Sequence, residues 1–225
     1  MKESSKKLEA KTLSMKIADK NRNEIIFGNY KEGERIIEQN LSKEFGVSRI
    51  PVREAIRLLE SEGFLEISPY KGSVVREITP EAFRETHTVR LCIIPAMLEH
   101  ALPNYTTKLI KQAEDLIDKT EKNMTLNNYL SFLLKIHDIM YGPCNMPFIL
   151  HFAEITLKRH LMVLGIYYNS FLEGMQLDGY RKFFELCKEK KHKEALDYWM
   201  ETLKYHYQSM ADVFQKWTLD KKVTM

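Results

Sequence analysis

The chain has 225 residues, 44% of them hydrophobic and 11% aromatic, with only 9 Gly and 7 Pro, so it can bury a sizeable core and is neither fibrous nor low-complexity. Its 34 Lys and Arg against 31 Asp and Glu leave a net charge of +3, which argues against a protein that coats nucleic acid with a broadly basic surface. Three widely spaced cysteines, Cys92, Cys144 and Cys187, form neither a disulfide framework nor a closed metal knuckle, no long uncharged apolar stretch spans a membrane, and the N-terminus lacks an apolar signal core; a cytoplasmic protein with no membrane partner is expected.

In chain order, residues about 5–28 predict one helix, Glu38 to Phe45 a short second and Arg49 to Ser61 a third. Two β-like runs follow, Phe64 to Ile67 and Ser73 to Val75, joined by Ser68-Pro69-Tyr70-Lys71-Gly72, whose Pro and Gly suit a tight turn. Helix, helix, turn, helix, hairpin is the order of a winged helix-turn-helix. Composition then changes near Glu77-Ile78-Thr79-Pro80. Thr79 can cap a helix whose first position is Pro80, where a missing N–H costs nothing. Beyond it, glycines become sparse and apolar residues recur at helical spacing. Breaks are predicted at Pro103-Asn104, Asn123 to Asn128, Gly142-Pro143 and Glu173 to Gly179. The expected fold is therefore mainly α, with a winged helix-turn-helix over residues 1–78 and an antiparallel all-α bundle over residues 79–225.

The stretch from Leu41 to Gly63 carries the chemistry. Gly46 can take the left-handed conformation that ends the second helix, Val47 can plug the angle, and Ser48 can cap the third. Pro51 falls in the first turn, where no intrahelical partner is lost. Val52, Ala55, Ile56 and Leu59 form a packing face at i, i+3, i+4 and i+7. Arg49, Arg53 and Arg57 form a stripe beside it. One reading makes the stripe a solvated face with Arg53 and Arg57 paired to Glu54 or Glu60. The other places Arg49 at the N-terminus of a recognition helix, where a planar guanidinium can grip a guanine edge or a phosphate. Lys71 and Gly72 at the wing tip allow a second approach to the backbone of double-stranded DNA. Order, turn, spacing and wing together favour DNA.

Residues about 10–78 resemble the GntR family of bacterial repressors. The resemblance rests on Gly33-Glu34-Arg35-Ile36, on Gly46-Val47-Ser48-Arg49-Ile50-Pro51-Val52-Arg53-Glu54-Ala55, on Glu62-Gly63-Phe64-Leu65 and on Lys71-Gly72-Ser73-Val74-Val75. It implies that Ser48, Arg49, Ile50, Pro51 and Arg53 face DNA, that Gly72 enters the minor groove, and that Arg35 and Gln39 lie near the DNA backbone. The family often has Arg where Gln39 stands and Thr where Ile50 stands.

Residues about 80–216 are similar to the helical effector domain of the FadR-like branch, through Val89-Arg90 with Ile94-Pro95, Ile136-His137 followed by Asn145, and the region of Ala195. Many members of that branch hold a divalent metal with one Asp and three His. At the corresponding positions this chain has Leu133, His137, Tyr180 and Thr202, so no metal and no other cofactor is expected. An unconventional site using His137 with His160 or His206 is the alternative. His137 otherwise reads as a core histidine, and His160 and His206 as surface or interface residues. Arg90 and Arg159 are candidate anion anchors for an unknown small-molecule effector. Arg90 fits an internal salt bridge to Glu99 or Glu154 equally well, and Arg159 a solvated face. The aromatic and methionine positions Met140, Tyr141, Phe148, Phe152, Met162, Tyr167, Tyr168, Phe171, Tyr198 and Trp199 read as core.

An enzyme is the competing class, resting only on Cys144 near His137; no phosphate loop, nucleophile elbow or His-Glu-x-x-His motif is present. The expectation is a homodimeric repressor that reads a pseudo-palindromic operator and whose affinity an effector modulates, because two copies of one recognition helix reading related half-sites require two-fold symmetry.

Overall fold

The computed structural model describes residues 12–167 and 177–223. The chain divides into two compact units, one of Met1–Ile25 with Asn29–Glu77, the other of Ile26–Gly28 with Ile78–Met225.

The first unit contains α1 (Leu13–Ile26), α2 (Glu38–Phe45), α3 (Arg49–Ser61), β1 (Leu65–Ser68) and β2 (Gly72–Val75). Ile17, Ala18 and Ile25 of α1 and Val52, Ala55, Ile56 and Leu59 of α3 are buried, as the helical periodicity of α3 requires. α1 begins at Leu13; the expected first turns near residue 5 lie outside the described residues. Gly46 ends α2 at φ 64°, ψ 35°, and the N–H groups of Gly46 and Val47 return to the carbonyls of Lys43 and Ser42. Ser48 stands in extended conformation just before α3, but its side chain makes no capping hydrogen bond, contrary to expectation. Its exposed hydroxyl and the first α3 N–H groups are thus not bonded to one another.

The wing is an antiparallel pair in which Leu65 faces Val75 and Ser68 faces Gly72. It is tied to the segment before α2: Arg35 bridges Val74, the Ile36 N–H donates to the Ser73 carbonyl at 2.9 Å, and Gly33 and Val75 exchange similar bonds with Val75 and Glu34. Arg22, only 3% exposed, donates to both carboxylate oxygens of Glu62 at 2.7 and 2.8 Å and to Asp19 at 2.5 Å, fastening α1 to the end of α3.

The second unit is helical throughout its described residues: α4 (Pro80–Ala101), α5 (Thr107–Glu121), α6 (Leu126–Tyr141), α7 (Pro147–Tyr167), α8 (Asp178–Lys188) and α9 (His192–Val223), with short 3-10 turns at Leu102–Asn104 and Gly142–Cys144. Thr79 accepts the Ala82 N–H at 3.2 Å and Pro80 occupies the first turn, so α4 starts as its sequence requires. α4 packs against both α7 and α9, and α5 against α6 and α8. Buried Phe83, Ile94, Phe132, Phe183, Phe184, Trp199 and Phe214 fill the interior. Phe148 and Phe152 are exceptions to the expected core: they are 75% and 46% exposed and pack on each other at 5.0 Å. Tyr168 and Phe171 lie outside the described residues, as does most of the break expected at Glu173 to Gly179. Among the described residues no helix is long and apolar enough to cross a membrane.

Candidate functional sites

The polar face of α3 follows from its apolar one. With Val52, Ala55, Ile56 and Leu59 turned inward, Arg49, Ile50, Arg53, Glu54 and Arg57 are left exposed, and Ser48, Gln39, Arg35, Lys71 and Gly72 are exposed as well; Pro51 is half-buried. Arg53 does not pair with Glu54 or Glu60. Its Nε donates to both carboxylate oxygens of Glu38, at 2.8 and 3.1 Å, while Glu60 accepts from the Ser73 hydroxyl. Glu38 thus reaches across from α2 and fixes the Arg53 stem, leaving the terminal guanidinium nitrogens uncommitted among the described residues. Arg49 and Arg57 form no ion pair among the described residues. A charged helix face whose arginines do not consume one another can receive external phosphate or base acceptors. Gly72, at φ 74°, carries the wing tip through a conformation that L side chains avoid, and no heavy atom stands within 4 Å of where a Cβ would be.

In the helical unit, α4, α7 and α9 assemble a polar cluster that the sequence did not reveal. The imidazoles of His87 and His160 meet at 2.8 Å between Nε2 and Nδ1, one donating and the other accepting. Tyr207 stacks on His87 at 3.8 Å, and Phe83 lies 3.9 Å from the same ring. His160 is therefore buried and bonded rather than a surface residue. Burial, with the nearby Arg90 charge, holds His87 down to about 3, and burial followed by His87 and Arg90 puts His160 well below the ordinary imidazole value. Both rings are neutral near neutral pH.

Arg90 is 5% exposed, and it pairs with neither Glu99 nor Glu154. Its Nε donates to the Tyr207 hydroxyl at 2.7 Å and its Nη1 to the Ala153 carbonyl at 3.2 Å, so a buried guanidinium is satisfied by neutral oxygens alone. Arg159 is half-buried on α7, next in sequence to His160.

The positions that the resemblance associates with a metal also come together, through contacts of their neighbours. Leu133 and His137 are buried on α6; Tyr180, half-buried on α8, meets Phe132 at 5.0 Å and Trp199 at 4.8 Å; and the Trp199 indole N–H donates to the Tyr141 hydroxyl at 2.8 Å. Thr202 on α9 lies against Gly179 and donates its hydroxyl proton to the Tyr198 carbonyl. His137 packs edge-on against Tyr141 at 4.8 Å, and its buried Nε2 has no hydrogen-bond partner. Burial lowers its pKa. Leucine contributes no donor, and the threonine proton is engaged with a carbonyl. One imidazole remains where three or four convergent ligands are needed, so these residues do not fit a divalent metal. Among the described residues no three His, Cys, Asp or Glu side chains converge to hold one, and His160 is committed to His87. Half-buried His206 supplies no alternative set. Cys144 is buried, and among the described residues it forms no hydrogen bond or ion pair with His137.

A separate cavity of about 520 Å³ lies between the Leu102–Asn104 turn, α5 and α8, with Tyr105, Ile110 and Cys187 among its apolar lining and Lys111, Lys188 and Glu114 among its polar lining. None of the candidate pocket residues contributes to it.

The fold and the α3 surface define a class: a winged helix-turn-helix DNA-binding regulator carrying an all-helical C-terminal domain. Residues 13–75 match the family model of bacterial regulatory proteins, gntR family. The family match covers the winged unit, and the helical remainder shares its fold with solved proteins of this architecture. It is 29% identical over 188 residues to the HTH-type transcriptional regulator YdhC of Bacillus subtilis (strain 168), spanning 76% of this chain and 78% of that one. The structure of McbR/YncC of E. coli superposes with a TM-score of 0.79 at 20% identity, over 92% of this chain and all of the other. A shorter match of 77 residues, 36% identical, joins it to the gluconate operon transcriptional repressor of Bacillus licheniformis, over 34% of this chain and 31% of that protein.

Proposed function

We propose that this transcriptional regulator is a homodimeric repressor whose affinity for a pseudo-palindromic operator is set by a small molecule held in the helical unit. The observation that carries the DNA part is the exposed α3 face, with Arg49 and Arg57 unpaired among the described residues and Arg53 held by Glu38. In this reading Arg49 and Arg53 reach base edges or phosphates, Ser48, Ile50 and Pro51 line the groove, Arg35 and Gln39 lie along the backbone, and Lys71 and Gly72 engage the neighbouring minor groove. Repression, rather than activation, is supported by the 77-residue match to a repressor of a gluconate operon.

The effector part rests on Arg90. A buried cation bonded only to neutral oxygens, whose charge acts on His137 with its unpartnered imidazole nitrogen and on half-buried Tyr180, gives the bundle a polar interior of the kind that orients small molecules. Leu133 makes that interior less charged, and half-buried Arg159 on α7 is a further candidate anion anchor. Effector binding shifts the spacing of the two recognition helices in the dimer; a tenfold change in operator occupancy requires only about 1.4 kcal/mol of differential affinity.

The test is Arg49→Ala, assayed by fluorescence anisotropy on a duplex selected by the wild-type protein from a random library. A loss of about 1–3 kcal/mol with relaxed base preference is expected. Unchanged affinity at the same salt refutes the assignment of α3. Native mass spectrometry of gently purified protein tests the assembly, with the mass of two chains expected and that of a single chain excluding the dimer.

A further inference from the structure

The exposed face of α3 contains one residue that charge does not explain. Ile50, the second residue of the helix, is 70% exposed between Arg49 and Pro51. It contributes nothing to the core, which α3 builds from Val52, Ala55, Ile56 and Leu59. On the helix surface Ile50, Arg53, Glu54 and Arg57 stand at i, i+3, i+4 and i+7, so the isoleucine continues the stripe of arginines toward the helix N-terminus, the end that meets base edges in a helix-turn-helix. An isoleucine here has no benefit for the unbound protein. It exposes a large apolar side chain, and β-branched residues are less favourable in helices than straight-chain ones.

Its chemistry narrows what it can read. A sec-butyl group has neither donor nor acceptor, so it cannot distinguish bases by hydrogen bonding. In the major groove only the C5-methyl of thymine offers an apolar surface. The β-branch holds χ1 in one strongly preferred rotamer, so little side-chain freedom remains to be lost when the group is pressed against a methyl.

We propose that Ile50 is a specificity-determining residue of this regulator, selecting a thymine in each half-site by packing its side chain on the thymine C5-methyl group. The proposal rests on the reading of α3 as the recognition helix. It assigns sequence preference to a contact that is apolar, whereas Arg49 and Arg53 supply the polar ones. Burying one methyl group against Ile50 corresponds to roughly fourfold in affinity per half-site.

The experiment exchanges thymine for deoxyuridine, which deletes the methyl and leaves every hydrogen-bonding group of the base pair intact. Duplexes selected from a random library by the wild-type protein are prepared with each thymine replaced singly, and symmetrically in both half-sites. They are titrated with wild type, Ile50→Ser and Arg49→Ala at one salt concentration. Wild type is expected to lose roughly fourfold at one thymine per half-site, and about fifteenfold when both half-sites are changed. Ile50→Ser is expected to bind the unmodified duplex as weakly as wild type binds the uracil duplex, and to be indifferent to the exchange. Because Ile50 lies on the surface, the serine variant retains its fold, which circular dichroism checks. A uracil penalty of the same size in Ile50→Ser, or no penalty at any thymine with wild type, overturns the proposal. Arg49→Ala separates the two levels: if it weakens binding while uracil has no effect, Ile50 is misassigned and α3 is not; if it binds as wild type, the recognition-helix reading fails on its own account.

Discussion

Acid should weaken the helical unit through a specific pair of residues. His87 has an ordinary value of 6.5 and is held at about 3 in the fold, first by burial and then by the Arg90 charge. In the unfolded chain its imidazole takes up a proton as pH falls through about 6.5, while in the fold it stays neutral until about pH 3. Its contribution to stability is therefore intact above about pH 6.5 and is lost progressively as pH falls below it. Between about pH 7.5 and pH 5.5 the loss from His87 alone is about 1.4 kcal/mol, since the lower limit lies one unit under the unfolded value. His160 and His137 also have lowered values and act in the same direction. Both tryptophans, Trp199 and Trp217, belong to the helical unit, so urea unfolding followed by tryptophan fluorescence reports on that unit alone. The wild-type midpoint should fall across this window, before most carboxylates titrate. His87→Gln keeps a hydrogen-bonding group opposite His160 but removes one titration, so its stability should decline less steeply, by about one proton. This comparison of slopes holds even if the variant is less stable at every pH. Equal slopes for wild type and His87→Gln refute the reasoning.

Other perturbations address the winged unit. Arg22→Met strands Glu62 and Asp19 without their buried cation and should cost about 3–5 kcal/mol, whereas adding Glu62→Met should recover much of it; chemical denaturation of the single and double variants measures the coupling. Lys71→Ala should weaken binding to specific and unrelated duplexes alike and lower the slope of log affinity against log salt by about 0.9, read from titrations at several salt concentrations.

What the sequence made legible was local. Gly46, the Thr79-Pro80 start and the turn around Gly72 act through their own backbones or through residues a few positions away, and the helices and hairpin fell close to where these signals put them. Partners distant in sequence were not legible. Arg53 meets Glu38, a residue on another helix, although Glu54 and Glu60 are nearer along the chain. Arg90 meets Tyr207 and His87 meets His160, contacts that exist only once α4 lies against α7 and α9. Because hydrophobicity indicates that a residue is apolar but not which face of its helix is covered, Phe148 and Phe152 read as core and proved exposed. At the bundle interior, the family resemblance was enough to place Leu133, Tyr180 and Thr202 where metal ligands stand in similar proteins, whereas the orphaned nitrogen of His137 required the packing around it.

The bonds joining the wing to the segment before α2 bear on the thermodynamics of operator search. Through Gly33, Arg35 and Ile36 that segment is bridged and hydrogen-bonded to β2, so Lys71 and Gly72 hang from a hairpin anchored near the start of the helix-turn-helix. A hairpin of two short strands alone is marginally stable in water and must be ordered anew at each encounter. Here much of that ordering is completed during folding, and docking on DNA loses correspondingly less chain entropy. Breaking this anchor, as a proline at Ile36 does by removing its N–H, should slow productive capture of the operator even though none of the residues proposed to contact DNA has changed.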